Sequence, residues 1–147
     1  MKTISGSCLC EKVQYTISSS PLSQGICYCQ QCQRASGSLG SPMMVLPKSS
    51  FSCSTELAFY ETTSARGSTV KRYFCKDCGS HVYAEISDAP EIVTVKVATL
   101  SDLSIFTPQY LVWTENMGAK HTLLAGVPAF EQNAPLEMVL GLKTTEL

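Results

Sequence analysis

Cys27-Tyr28-Cys29-Gln30-Gln31-Cys32 brings three thiols into six residues. Side chains of an extended chain alternate, so a strand from Gly25 to Cys29 turns Cys27 and Cys29 to one face. The backbone must then bend for Cys32 to reach the same point. This geometry offers three sulfurs to one metal ion and no evident fourth. Zinc is tetrahedral, and a site with three protein ligands leaves one position open for water or substrate. The rest of the chain reads as the frame around that site.

The frame is a globular one. The chain has 147 residues, 44% hydrophobic and 16% charged, which suits a single packed domain. The formal net charge is −1. No basic stripe points to nucleic acid and no Lys/Arg cluster points to an anionic membrane. No apolar run approaches the length of a membrane span. Met1 to Gly6 leads into Cys8 without an apolar signal core, so a cytoplasmic protein is expected. In a reducing cytosol the eight cysteines read as metal ligands rather than disulfides.

Short strands punctuate the sequence. Val13 to Ile17 alternates apolar and polar residues, and Ser18 to Pro21 is a turn. Gln33 to Ser38 reads as a polar loop. Met43 to Leu46 is an apolar strand stopped by Pro47, and Phe51 to Cys53 and Leu57 to Tyr60 continue the pattern. Thr62 to Ser68 is a loop. Val70 to Phe74 enters Cys75-Lys76-Asp77-Cys78-Gly79, a knuckle between strands, and His81 to Glu85 leaves it. Ile92 to Val97 sets Val93, Val95 and Val97 on one face. Pro108 to Trp113 is a last long strand. The tail from Gly118 is irregular, with a helical turn at Glu137 to Leu140. Many short strands and few helix-length patterns predict an all-β domain over 1–147, with its core at about 3–131.

The other cysteines pair across the chain. Cys8-x-Cys10 and Cys75-x-x-Cys78 supply two thiolates each, and four close a tetrahedral structural zinc site. Thiolates favour zinc over magnesium or calcium, and an iron–sulfur cluster is the competing metal reading. Cys27, Cys29 and Cys32 form the open site. Three thiolates on Zn²⁺ leave less excess negative charge than four, so this site tolerates one more anionic ligand. The alternative is closure by a fourth ligand from Cys53, His81 or His121. Packing is the simpler reading of Cys53, a plain strand position of His81, and a surface or cap position of His121. Tyr110 and Trp113 read as core, with pocket wall as the alternative. Arg34, Lys71 and Arg72 offer charges to a substrate carboxylate, and solvated surface is the simpler reading for each.

Gly6-x-Cys8-x-Cys10, Cys27-x-Cys29-x-x-Cys32 followed by Ser36-Gly37, and Phe74-Cys75-x-x-Cys78-Gly79 resemble the glutathione-dependent formaldehyde-activating enzyme family, which includes the centromere protein V domain. The likeness extends to the Trp113 region and to Gly126-x-Pro128-x-Phe130. It implies an all-β, β-tent-like fold around two zinc ions per chain. It assigns Cys8, Cys10, Cys75 and Cys78 to a structural zinc, and Cys27, Cys29 and Cys32 to a catalytic one. It also implies a carbon–sulfur lyase that joins a small thiol such as glutathione to a small aldehyde such as formaldehyde. A non-catalytic, zinc-stabilised binding module is the competing reading. Methionine sulfoxide reduction is a third, and it needs a reactive thiolate outside the zinc set. Only Cys53 is left for that role, in an apolar setting that does not activate it.

Overall fold

A computed structural model describes residues 3–142 of the chain. Met1 and Lys2 of the leading stretch and the last five residues of the tail lie outside them. The architecture is all-β. Strands β1 (Ile4–Ser7), β2 (Gln14–Ile17) and β5 (Phe51–Cys53) make an antiparallel three-stranded sheet in the order β1-β2-β5. The remaining strands are β3 (Ser23–Cys27), β4 (Ser41–Pro47), β6 (Ala58–Thr63), β7 (Thr69–Phe74), β8 (His81–Ile86), β9 (Ile92–Lys96) and β10 (Tyr110–Val112). They form a seven-stranded sheet ordered β10-β3-β4-β9-β8-β7-β6. Every pair is antiparallel except β10 with β3, which run parallel with Val112 beside Cys27. Two short α-helices, α1 (Gln30–Ser36) and α2 (Leu136–Val139), and four single 3-10 turns join them among the described residues. No helix among them is long and apolar enough to cross a membrane.

The two faces of the large sheet do different work. Met44, Leu46, Val93 and Val95 point toward the small sheet and pack with Val13, Tyr15 and Ile17 in the main core. All of these side chains are almost completely buried. The opposite residues of the same strands, Met43, Val45, Thr94 and Lys96, face a cavity. β9 is therefore buried along its whole length, on the Val93–Val95 face and on the opposite face alike. A central strand covered on both sides has no wet face, whatever its pattern.

Three local expectations change. The extended segment ends at Cys27, and Gln33 to Ser38, read as a loop, lies largely in α1. The last strand is short, Tyr110–Val112. Cys8 and Cys10 sit in the turn after β1. Gly25 shows how tightly the β3–β10 corner is packed. A Cβ there would lie 2.2 Å from Tyr110 Cε2, so only glycine lets the buried tyrosine ring lie against the strand.

Candidate metal centres and the cavity beside them

Two cysteine groups converge. The sulfurs of Cys8, Cys10, Cys75 and Cys78 all lie within 4.8 Å of one another, and so do those of Cys27, Cys29 and Cys32. Both groups are of a size and donor type that can hold a metal ion.

The four-cysteine group joins two distant turns. Cys8 Sγ is 3.5 Å from Cys10 Sγ, and Cys10 Sγ is 3.7 Å from Cys75 Sγ. The Val13 amide donates to Cys8 Sγ at 3.3 Å. In the knuckle, Gly79 has φ 73° and donates its amide to the Cys75 carbonyl, a left-handed turn that favours glycine. Ser80 Oγ lies 3.2 Å from Cys78 Sγ and accepts from the Leu9 amide. The Ser80 hydroxyl and amide draw the Cys78 thiol down to about 5. Cys10 goes the other way. The Lys12 amide lowers it, but burial and the Cys8, Cys78 and Cys75 sulfurs outweigh that and push it up to about 12. Crowded thiols cannot all ionise unless a cation compensates them.

The three-cysteine group is built by a strand end and a helix start. Cys27 closes β3 and is buried. Cys29 is the N-cap of α1 in an extended conformation, and its sulfur accepts from the Cys32 amide at 3.3 Å. That cap turns the chain and delivers Cys32 from the first helical turn. Gly37 ends the helix with φ 64°. Gln33 anchors the helix by donating to the carbonyls of Tyr28 at 2.6 Å and Asn116 at 3.1 Å. Contact with Cys27 and Cys29 drives the Cys32 thiol down to about 2, with Lys96 and Arg72 adding to the effect. Contact with Cys29 and Cys32, together with burial, forces Cys27 far upward. Crowded as they are, the three thiols titrate as one coupled set. No His, Asp, Glu or further Cys ligand atom joins this group among the described residues.

The group opens into a cavity of about 420 Å³. Its floor is the sheet, with Val45, Thr94, Ala84 and Val70. Trp113 forms part of the wall, while the Ser64–Ser68 loop and the tail around α2 also border the space. Trp113 sits at φ 60°, a left-handed conformation that bulky residues rarely adopt. Its strain marks a position held by its surroundings beside the cysteines. Tyr110 is fully buried and lines the cavity as well, so it serves as both core and wall.

The cations resolve differently from the expectation. Arg34 and Lys71 lie outward, Lys71 paired with Glu61 at 3.1 Å and placed over the Phe59 ring. Arg72, read as solvated surface, is only 8% exposed and lines the cavity. It is held by Thr62 Oγ1 at 2.5 Å and Gln31 Oε1 at 3.2 Å. Lys96, which the sequence reading passed over, is equally buried and donates to Ser41 Oγ at 2.8 Å. Burial pushes Lys96 down, and the Cys32 and Cys27 thiols pull it back up. The one signal in the sequence was a single charge among the apolar residues of Ile92 to Val97.

The other candidates do not join the triple. Cys53 packs against the main core and its thiol donates to the Thr55 carbonyl. His81 opens β8, with a buried Nε2 that has no hydrogen-bond partner. His121 lies against the Tyr28 ring, with centroids 5.9 Å apart.

A family model described as glutathione-dependent formaldehyde-activating enzyme matches residues 3–116, which include both cysteine groups. The chain belongs to that family. Among curated relatives, a "Putative glutathione-dependent formaldehyde-activating enzyme" of Penicillium rubens is 32% identical over 79 residues, 54% of this chain and 41% of its own length. One of the same name from Emericella nidulans is 33% identical over 82 residues, 54% of this chain and 40% of its own. The chain thus spans about two fifths of the length of these relatives. A Rhodobacter sphaeroides protein of known crystal structure superimposes with a TM-score of 0.53, over 66% of this chain and 87% of its own, at 24% identity. That likeness speaks to the fold, and it agrees with the all-β architecture.

Proposed function

We propose that this formaldehyde-activating family member is a zinc-dependent carbon–sulfur lyase that adds a small thiol, glutathione foremost, to formaldehyde or a similar small aldehyde, or runs the reverse reaction. The observation that carries the reading is the asymmetry between the two cysteine groups. One has four sulfurs, the number that closes a tetrahedral site. The other has three, with no fourth ligand among the described residues, and faces a cavity. Cys8, Cys10, Cys75 and Cys78 are assigned to a structural zinc, and Cys27, Cys29 and Cys32 to a catalytic one. The donor set fits zinc, since three crowded thiols that cannot share negative charge unaided are relieved by a soft dication. Bound there, zinc supplies Lewis acidity and keeps a coordinated thiol deprotonated at neutral pH.

The chain's own residues do the rest. The cavity limits water around the reacting sulfur. The Cys29 cap and the Gln33 anchors fix the three sulfurs before substrate arrives. Buried Lys96 and Arg72 give the cavity a positive potential that favours an anionic thiol. In the forward direction the sulfur forms a bond to the carbonyl carbon. The C=O π bond breaks onto oxygen, which gains a proton as the thiol loses one, so no oxidant or reductant is needed. Glu115 is the one carboxylate on the cavity wall among the described residues, and it is exposed, so protons exchange with water at the mouth.

The test is zinc counting and exchange spectroscopy on one preparation. Two zinc ions per chain, with acceleration of the formaldehyde–glutathione equilibration seen by NMR and lost in Cys29→Ser, are expected. Full acceleration by Cys29→Ser, or none by the two-zinc wild type, sinks the reading.

A further inference from the structure

Two buried cations on the cavity floor have no acid to answer them. Lys96 and Arg72 are each 8% exposed, and no Asp or Glu pairs with either among the described residues. Buried charge without a counter-charge is costly and persists where something else compensates it. Apart from the neighbouring three-cysteine group, whose single excess charge with a dication bound is fewer than the two cations, the protein supplies only neutral oxygens. Lys96 has Ser41 Oγ, and Arg72 has Thr62 Oγ1 and Gln31 Oε1. An ammonium carries three donors and a guanidinium five, so both groups keep unused N–H bonds toward the cavity. In a chain of net charge −1, this concentration of positive charge is local.

The anchors set where those donors stand. Ser41, which holds Lys96, is the cross-strand partner of Cys27. Gln31, which holds Arg72, precedes Cys32 in α1, and its own amide is fixed to the Thr63 carbonyl at 2.8 Å. Each cation is thus tied to a residue next to the three-cysteine group. A molecule reaching that group from the cavity passes within range of both.

We propose that Lys96 and Arg72 form an anion subsite that takes a carboxylate of the thiol substrate, so that the site selects acidic thiols over neutral ones. Arg72 contributes the planar fork that matches a carboxylate, and Lys96 the point charge beside it. The proposal rests on the thiol reading above for which molecule carries the carboxylate. The subsite itself rests only on the paired, acid-free cations.

Calorimetric binding to the zinc-loaded protein tests it, with glutathione compared with its diethyl ester, and 3-mercaptopropionate with its methyl ester. Charge-assisted pairs of this kind predict that wild type prefers each acid over its ester by roughly 10-fold to 100-fold. Lys96→Met and Arg72→Met should each bring the ratio toward one while keeping both zinc ions and the wild-type circular dichroism. Lys96→Arg and Arg72→Lys should retain part of it. A ratio near one in wild type overturns the proposal, as does a ratio untouched by both Met variants. Loss of zinc without loss of selectivity also overturns it, because the cations then serve only to balance the metal site. If neither form of glutathione binds while 3-mercaptopropionate still outbinds its ester, the glutathione reading fails and the subsite stands.

Discussion

Cys10 and Cys75, 65 residues apart, bring their sulfurs to 3.7 Å, so the turn after β1 and the knuckle before β8 share one metal-sized cage. Lys12 and Asp77 reinforce the same junction with an ion pair at 3.4 Å. That pair is exposed and contributes little, so at this junction the cage adds to the core that already packs the small sheet on the large one.

Removing one cage sulfur should therefore unfold more than a loop. Cys75→Ser is expected to cost more than about 4 kcal/mol, the tail of point-mutant effects to which loss of a metal site belongs. Urea denaturation of wild type and variant, each with its zinc content measured, checks this. An unchanged midpoint would mean that the cage is not structural.

His81 carries a pH signature. Burial, with Lys96 and Arg72 nearby, lowers it from 6.5 to about 4. A group with a depressed folded value binds more protons when unfolded. Stability therefore rises with pH between about 4 and 6.5, and is lost as pH falls through that window. The full effect is on the order of 3 kcal/mol. His81→Gln should flatten this stretch of the stability curve relative to wild type, while metal loss at acid pH affects both proteins alike. Parallel curves would show that His81 is solvated.

Gly25 and Tyr110 test the corner behind the cysteines. A Cβ at Gly25 meets ring carbons of Tyr110, so Gly25→Ala should destabilise by about 2 kcal/mol or more. Tyr110→Phe removes only the hydroxyl contact with Ser23, at 3.1 Å, and should cost about 1 kcal/mol. The double variant should show no rescue, because the clash is with the ring. Thermal melts of the three variants decide it.

Ser23 donates to the Val139 carbonyl at 2.5 Å and holds the α2 tail over the cavity. Truncation before Pro135 should leave the main core folded, since none of its residues lies in the tail. Thiol affinity should drop several-fold as the cavity opens. Equal affinity in the truncated protein would remove the tail from the site.

The cysteine spacing by itself pointed to the two groups of sulfurs that converge in the fold, because sulfur count and softness are properties of residue type. Alternation and turn residues likewise determined the all-β character and most strand positions. Helix α1 stayed hidden because none of its residues is buried, so it has no apolar period, and its cap is a cysteine. Only the tertiary structure decided what surrounds the open group. Arg72 and Lys96 are charged residues on strands, and a strand pattern says which residues share a face without saying what covers it. Whether such a face meets water or a cavity depends on the order β10-β3-β4-β9-β8-β7-β6 and on the tail laid over it. Those are contacts between segments far apart in sequence, and they turn two ordinary surface charges into a buried pair beside the thiols.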